Sequence, residues 1–500
     1  MKKLKLNRLV SKVLLLVLCF GLALPFFACR KKDNLDTLSK DLTNYEIQVN
    51  LNTETKTAHC FETVDYINST DTILKQVKFH LYPQYFKEGA TDYVVGSTKM
   101  NEAYPNGMSY AKFEILRLKV AEADKPVVFE GEHNGILNVE LDASLMPTER
   151  VKIGIEFEFT LPNCCHRFGY GENTINLANF YPIACVYSNG SFSTNPYHAN
   201  GDPFYSDMAN YNVTIITDDS YKIASTGEKL EEKLEYSNKK QTFSAKMVRD
   251  YACVLSNRFE VKSAKVGETN IEYFYFDDEN ADKSLQAGVD SIKTFSNLFG
   301  DYPYHTFSIV KTDFIHGGME YPNLVMISSS IDNIDDYMNV IIHETAHQWW
   351  YGMVGNDEYT HPWLDESLTE FSTLLFYDNN EGYNLSHKGM ADACKSNYTL
   401  FISVYQDVLG NIDTSMRAVN EYATEPEYTY CIYVKGVLMY DSLYQLLGEK
   451  KFISCLKAYF ADRKFKNATP EDLIFCFENA SGVELKNFFD SWLSGKVIIR

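Results

Sequence analysis

The sequence predicts an α+β multidomain protein: an antiparallel β domain over residues 45–250, then a mixed α/β domain over 251–500. Three observations carry this expectation. The chain has 500 residues, more than one hydrophobic core usually supports. Val151, Ile153, Ile155, Phe157, Phe159 and Leu161 alternate with Lys, Gly, Glu, Glu and Thr, the period-two pattern of a half-buried antiparallel strand. After about Tyr251 helical spacing takes over, first in residues 281–299, which Gly300 closes.

The first 29 residues read as a targeting segment. Lys2, Lys3, Lys5, Arg8 and Lys12 precede an unbroken apolar or small run from Val13 to Ala28, and Cys29 follows. Phe26-Phe27-Ala28-Cys29 resembles a bacterial lipoprotein processing box. Cys29 would then be the lipidated first residue and 30–44 a polar tether. An uncleaved anchor is the alternative, although the run is short against the ~20 residues of a spanning helix. Both readings put the remaining chain outside the cytoplasm and at a membrane. The formal net charge of −20 argues against nucleic acid as a partner. Of eleven cysteines, those beyond Cys19 and Cys29 are odd in number and contain no C-x-x-C pair. No disulfide framework or second metal site is expected, and vicinal Cys164 and Cys165 read best as small buried hydrophobes.

Within the β domain, Tyr45, Ile47, Val49 and Leu51 alternate with polar residues, and runs at 76–81 and 212–216 add strands. Residues 169–203, dense in Asn, Gly, Ser, Tyr and Pro, form a long irregular stretch of the kind that is functional or packed over a neighbour. In the second domain strands are expected near 307–311 and 324–327, with helices from 335 onward.

The chemistry-bearing pattern is His343-Glu344-Thr345-Ala346-His347, followed after eighteen intervening residues by Glu366. Histidines four apart lie on one helix face and reach a single metal ion. Asp332 is the expected cap of that helix and Gly352 its stop. Glu366 is expected on a second helix, 363–377, behind Pro362. Two His and one Glu leave a fourth tetrahedral position open, the arrangement of one catalytic Zn2+ rather than a structural one. Glu344, at the edge of the same face, is placed to act as general base on a water.

Two further blocks, Gly317-Gly318-Met319-Glu320 upstream and Tyr433-Val434-Lys435-Gly436 downstream, complete a resemblance. With the His-Glu-x-x-His helix and Glu366 they are similar, in order and spacing, to the gluzincin metallopeptidases of the aminopeptidase N and leukotriene hydrolase family. The resemblance implies a β-sandwich or saddle domain followed by a thermolysin-like catalytic domain, in a short form lacking the C-terminal helical domain and so more open at the cleft. It implies an aminopeptidase that takes peptides, with Tyr433 donating to the oxyanion and Gly317, Gly318, Met319 and Glu320 binding substrate. Glu320 would grip the free α-ammonium. Tyr321 stands where the family commonly has asparagine, and a second amine-binding residue is expected within 164–189. Glu370, one turn beyond Glu366, is either a partner of a ligand histidine or a solvated carboxylate. His316 is the remaining histidine that could touch substrate. The alternatives are an open-cleft endopeptidase and a non-catalytic peptide-binding lipoprotein.

Overall fold

The alternating segment forms the strand Arg150–Thr160, with Ile153, Ile155, Phe157 and Phe159 buried. The structure is a computed structural model that describes residues 34–410, 413–497 and 499; the targeting segment and Cys29 lie outside the described residues. Arg150–Thr160 pairs antiparallel with Thr57–Ile67 and Lys112–Val120 inside an eight-stranded sheet. Its spatial order is Glu228–Glu235, Asn238–Val248, Ala209–Asp218, Thr43–Asn52, Thr57–Ile67, Arg150–Thr160, Lys112–Val120, Ala123–Lys125.

One pair departs from the antiparallel expectation: Thr43–Asn52 and Ala209–Asp218 run parallel. Parallel neighbours need a long crossover. The chain between them supplies it and builds most of two four-stranded sheets. One contains Leu74–His80 and Ile136–Leu145; the other joins Phe168–Tyr170 and Ile175–Ala178 to Lys222–Ser225 and Ala252–Ser256.

The second part opens with a five-stranded sheet in the order Glu260–Val266, Thr269–Tyr275, Thr306–Thr312, Leu324–Ser328, Gly318–Met319. Its three central strands are parallel. Gly318–Met319 is the edge strand, pairing antiparallel with Met326 and Ile327. Helix Ala281–Leu298 covers the sheet, followed by helices Ile334–Ala346, Glu366–Asn379, His387–Leu409, Lys435–Leu447, Glu449–Arg463, Pro470–Ser481 and Lys486–Leu493. No helix among the described residues is long and apolar enough to cross a membrane. Their cysteines are free, Cys164 buried and Cys165 half-buried.

Three helix boundaries differ from expectation. Asn333, not Asp332, caps the first motif helix, its side-chain oxygen accepting from the amides of Asp335 at 2.8 Å and Asp336 at 3.2 Å. That helix stops at Ala346, so Gly352 does not end it. The second motif helix begins at Glu366 rather than at 363, because residues 363–365 form a turn.

The two parts are joined by buried polar contacts. Arg249, 2% exposed, donates to the carbonyls of Tyr351 at 2.8 Å, Ser206 at 2.9 Å and Lys466 at 2.5 Å, and to the side chain of Asn467. Asp313 accepts from the side chain and amide of Asn173 and the amide of Thr174. Removing the guanidinium strands several buried carbonyls, each costing about 1–3 kcal/mol. Arg249→Met is therefore expected to lower unfolding stability by about 3 kcal/mol, read as a drop in denaturant midpoint with the slope unchanged.

Candidate active site

The first motif helix and the second cross so that His343, His347 and Glu366 present one ligand atom each within 4.8 Å of one another. The two Nε2 atoms are 3.1 Å apart, and Glu366 Oε2 lies 3.1 Å from His347 Nε2 and 3.5 Å from His343 Nε2. The outer nitrogens fix the tautomers. His347 Nδ1 lies 2.8 Å from the Trp350 carbonyl, which only accepts, so in the neutral ring Nδ1 carries the proton. His343 Nδ1 faces the Glu370 carboxylate at 2.7 Å with the same result. Glu370 is thus the partner of a ligand histidine.

Two lone pairs and a carboxylate oxygen then converge with no donor between them, and all three residues are buried. Such an arrangement demands positive charge. Without a cation the imidazoles take it up as protons. Burial opposes charging His347, but Glu320 and Glu366 outweigh it and hold the imidazolium up to about 10. Glu366 also resists burial and is held well below the usual carboxylate range by both histidines. The donor set, two imidazoles with anchored Nδ1 atoms and one carboxylate, fits zinc.

Glu344 lies beside this cluster, 6% exposed, with Oε2 unpartnered. Burial pushes its carboxyl up to about 7 against the pull of His343 and His347. Gly318 makes room for it: a Cβ there would overlap the Glu344 carboxyl. Glu320 follows on the same edge segment, 2% exposed, with Oε1 unpartnered; burial raises its carboxyl well above the usual range. Gly317, Gly318 and Glu320 line the cavity beside the motif, which measures about 290 Å³. Met319 is fully buried and is not among the lining residues.

Tyr433 donates to Glu366 Oε1 at 2.5 Å. Burial and the Glu366 charge push its phenol well up, so it stays protonated. It sits in the π-type turn Tyr430–Val434, which leads into helix Lys435–Leu447. The Lys-Gly pair explains how it is held. Lys435 is buried against Asp413 at 2.6 Å. Gly436 touches Ser367 so closely that a Cβ would overlap it, and Ser367 donates to the Ile432 carbonyl at 2.6 Å.

One cavity residue escaped the sequence. Beside the expectation of a second amine-binding residue within 164–189, the structure brings Asp202 next to Glu320 and Glu366. It comes from the end of the irregular stretch and is held by Arg167 at 2.7 Å. Arg167 is 3% exposed and stacks over Phe204 at 4.9 Å. The 169–203 stretch is of the kind that is functional or packed over a neighbour, and nothing in its composition singles out this aspartate. His316 reaches the cavity as expected and pairs with His166, Nε2 to Nε2 at 3.2 Å.

Residues 283–492 match the family model described as the peptidase family M1 domain. The chain carries an M1 peptidase domain. That M1 domain is similar to human aminopeptidase B, 28% identical over 226 residues, and to aminopeptidase N of Lactococcus lactis, 24% identical over 235 residues. The matches take in 41% and 42% of this chain but 33% and 26% of those proteins. The chain therefore spans about a third or less of the relatives it matches. An M1 zinc metallopeptidase from Deinococcus radiodurans has the same fold, with TM-score 0.64 and 16% identity over 92% of this chain and 95% of that one. A mutant of that protein has been solved with a Tyr-Ser-Ala substrate bound.

Outer-sphere partners of metal-bound histidines are typically worth 10–100-fold in metal affinity. Glu370→Gln in this M1 domain is expected to weaken zinc binding by about that factor, measured by competition with a fluorescent chelator, with the fold intact by circular dichroism.

Proposed function

We propose that the chain is a one-zinc aminopeptidase that removes the first residue of peptides. The observation that carries this reading is the pair of carboxylates Asp202 and Glu320 directly beside the cluster of His343, His347 and Glu366. A peptide bond presented to the metal residues places the substrate's amino terminus beside Glu320, buried with an unpartnered oxygen, and beside Asp202, which Arg167 holds from the other side. An α-ammonium supplies the missing charge, and its capture leaves room for one residue before the scissile bond.

His343, His347 and Glu366 hold the ion. When bound, zinc polarises a carbonyl and lowers the pKa of a water to about 7. Glu344 takes the proton of the attacking water and returns it to the departing amine, a role its place beside the metal cluster suits. Tyr433, kept protonated, turns its hydroxyl from Glu366 to donate to the oxyanion. Arg167 holds Asp202 in place, and Gly317 and Gly318 admit the substrate backbone beside the edge strand. An endopeptidase would not use Asp202 and Glu320 as an amine anchor, and a non-catalytic binding protein has no need of Glu344. On the sequence of residues 1–29 we further infer an extracytoplasmic enzyme tethered at Cys29, with 45–250 and 251–500 as its two domains.

The deciding comparison is hydrolysis of aminoacyl-arylamides against their N-acetylated forms, with and without chelator. Free amines are expected to be cleaved at least 100-fold faster and chelator to abolish turnover; equal rates on both substrates would remove the amine anchor. Glu344→Gln is expected to lower kcat by 10²–10⁴-fold with zinc content unchanged. Tyr433→Phe should cost about 3 kcal/mol of transition-state stabilisation, seen in kcat more than in KM. Asp202→Asn should act the other way, raising KM about tenfold for free-amine substrates.

A further inference from the structure

The cavity has walls from both parts of the chain: Lys99, Arg167 and Asp202 from the β-rich part, and the motif helices, Glu425 and Tyr428 from the other. One ion pair joins these walls across the cavity lining. Lys99 Nζ lies 3.0 Å from Glu425 Oε1, with the two side chains 27% and 35% exposed. Glu425 is the first residue of helix Glu425–Thr429, whose start is fixed by Thr424 accepting from the Glu427 amide. The same short helix carries Tyr428 and runs into the turn bearing Tyr433. Opposite, the Lys99 carbonyl accepts from the amides of Glu102 and Ala103 at 3.1 and 2.9 Å, so this strap also has an ordered backbone. Gly96 brings the strap against Glu425, a Cβ there lying 4.0 Å from Oε2.

We propose that the Lys99–Glu425 pair is a clasp that makes the enzyme selective for short peptides. The inference rests on the aminopeptidase reading and adds the length of substrate to it. With the amino terminus anchored on Asp202 and Glu320, residues after the scissile bond must leave a cavity of about 290 Å³ between these two walls. A peptide contained in the cavity leaves the pair undisturbed; a longer chain has to part it. Half-exposed ion pairs are weak and screened by salt, so the clasp biases the choice of substrate instead of forbidding long ones.

The test is the ratio of kcat/KM for a decapeptide to that for a tripeptide sharing its first three residues, measured on the zinc enzyme. Lys99→Met and Glu425→Gln are each expected to raise the ratio two- to fivefold, and the reversed pair Lys99→Glu with Glu425→Lys to bring it back. Raising salt from 20 mM to 0.5 M should raise the ratio in the wild type and leave it unchanged in either single variant. The salt series on the wild type stands even if a variant fails to fold. Folded variants with an unaltered ratio, a reversed pair that restores nothing, or a wild-type ratio indifferent to salt would each overturn the clasp while leaving the aminopeptidase reading intact. A wild type inactive on both peptides would instead remove that reading, and the clasp with it.

Discussion

Three buried acceptors aimed at one point, with nothing between them to donate, form the constraint that organises this molecule. His343 and His347 cannot satisfy each other while each spends its Nδ1 proton outward, on Glu370 and on the Trp350 carbonyl. Glu366 adds a negative charge to the same spot. Taken alone, the cluster would be expensive to bury. Its neighbours show the same bias: Glu344, Glu320 and Asp202 are further carboxylates placed where a positive centre, and then a cationic substrate, would stabilise them. The acid-rich surroundings are unfavourable in an empty site and favourable in a loaded one.

Close packing turns that electrostatic demand into precise positions. Gly318 lets an edge strand press against the Glu344 carboxyl, and Gly436 lets the helix after Tyr433 press against Ser367. At both places the missing side chain is what allows the approach, so the two glycine-containing blocks act by absence. Met319 shows the complementary case, a motif residue that fills the core beneath the edge strand while its neighbours face the cavity.

Periodic features were legible in the sequence, and features that depend on contacts between distant segments were not. The β-then-helical succession, the strand at 151–161 and the shared face of His343 and His347 follow from repeats of two and of 3.6 residues, which local sequence records directly; Glu366, on the next helix, is legible only through its fixed distance from that motif. Glu370, one turn from Glu366, was within reach of the same reasoning but left open; the 2.7 Å contact with His343 settles it. Asp332 and Asn333 are both good caps, and only the direction of the Asn333 side chain decides between them. Asp202 lies in a stretch without period, and its partners Arg167, Glu320 and Glu366 come from three separate elements. The parallel pairing of Thr43–Asn52 with Ala209–Asp218 is likewise set by tertiary packing and leaves no mark on either strand's alternation.

The order in which these groups occur along the chain has a consequence for biosynthesis. The two motif helices are neighbours in sequence and can meet as soon as both have emerged. The phenol that faces Glu366 is 67 residues further on, and the Asp202 carboxylate belongs to a region that must dock from the other side. Packing of the motif helices alone therefore brings His343, His347 and Glu366 together without the Tyr433 hydroxyl and without Asp202. Assembly of the whole cavity is thereby deferred to the finished tertiary structure.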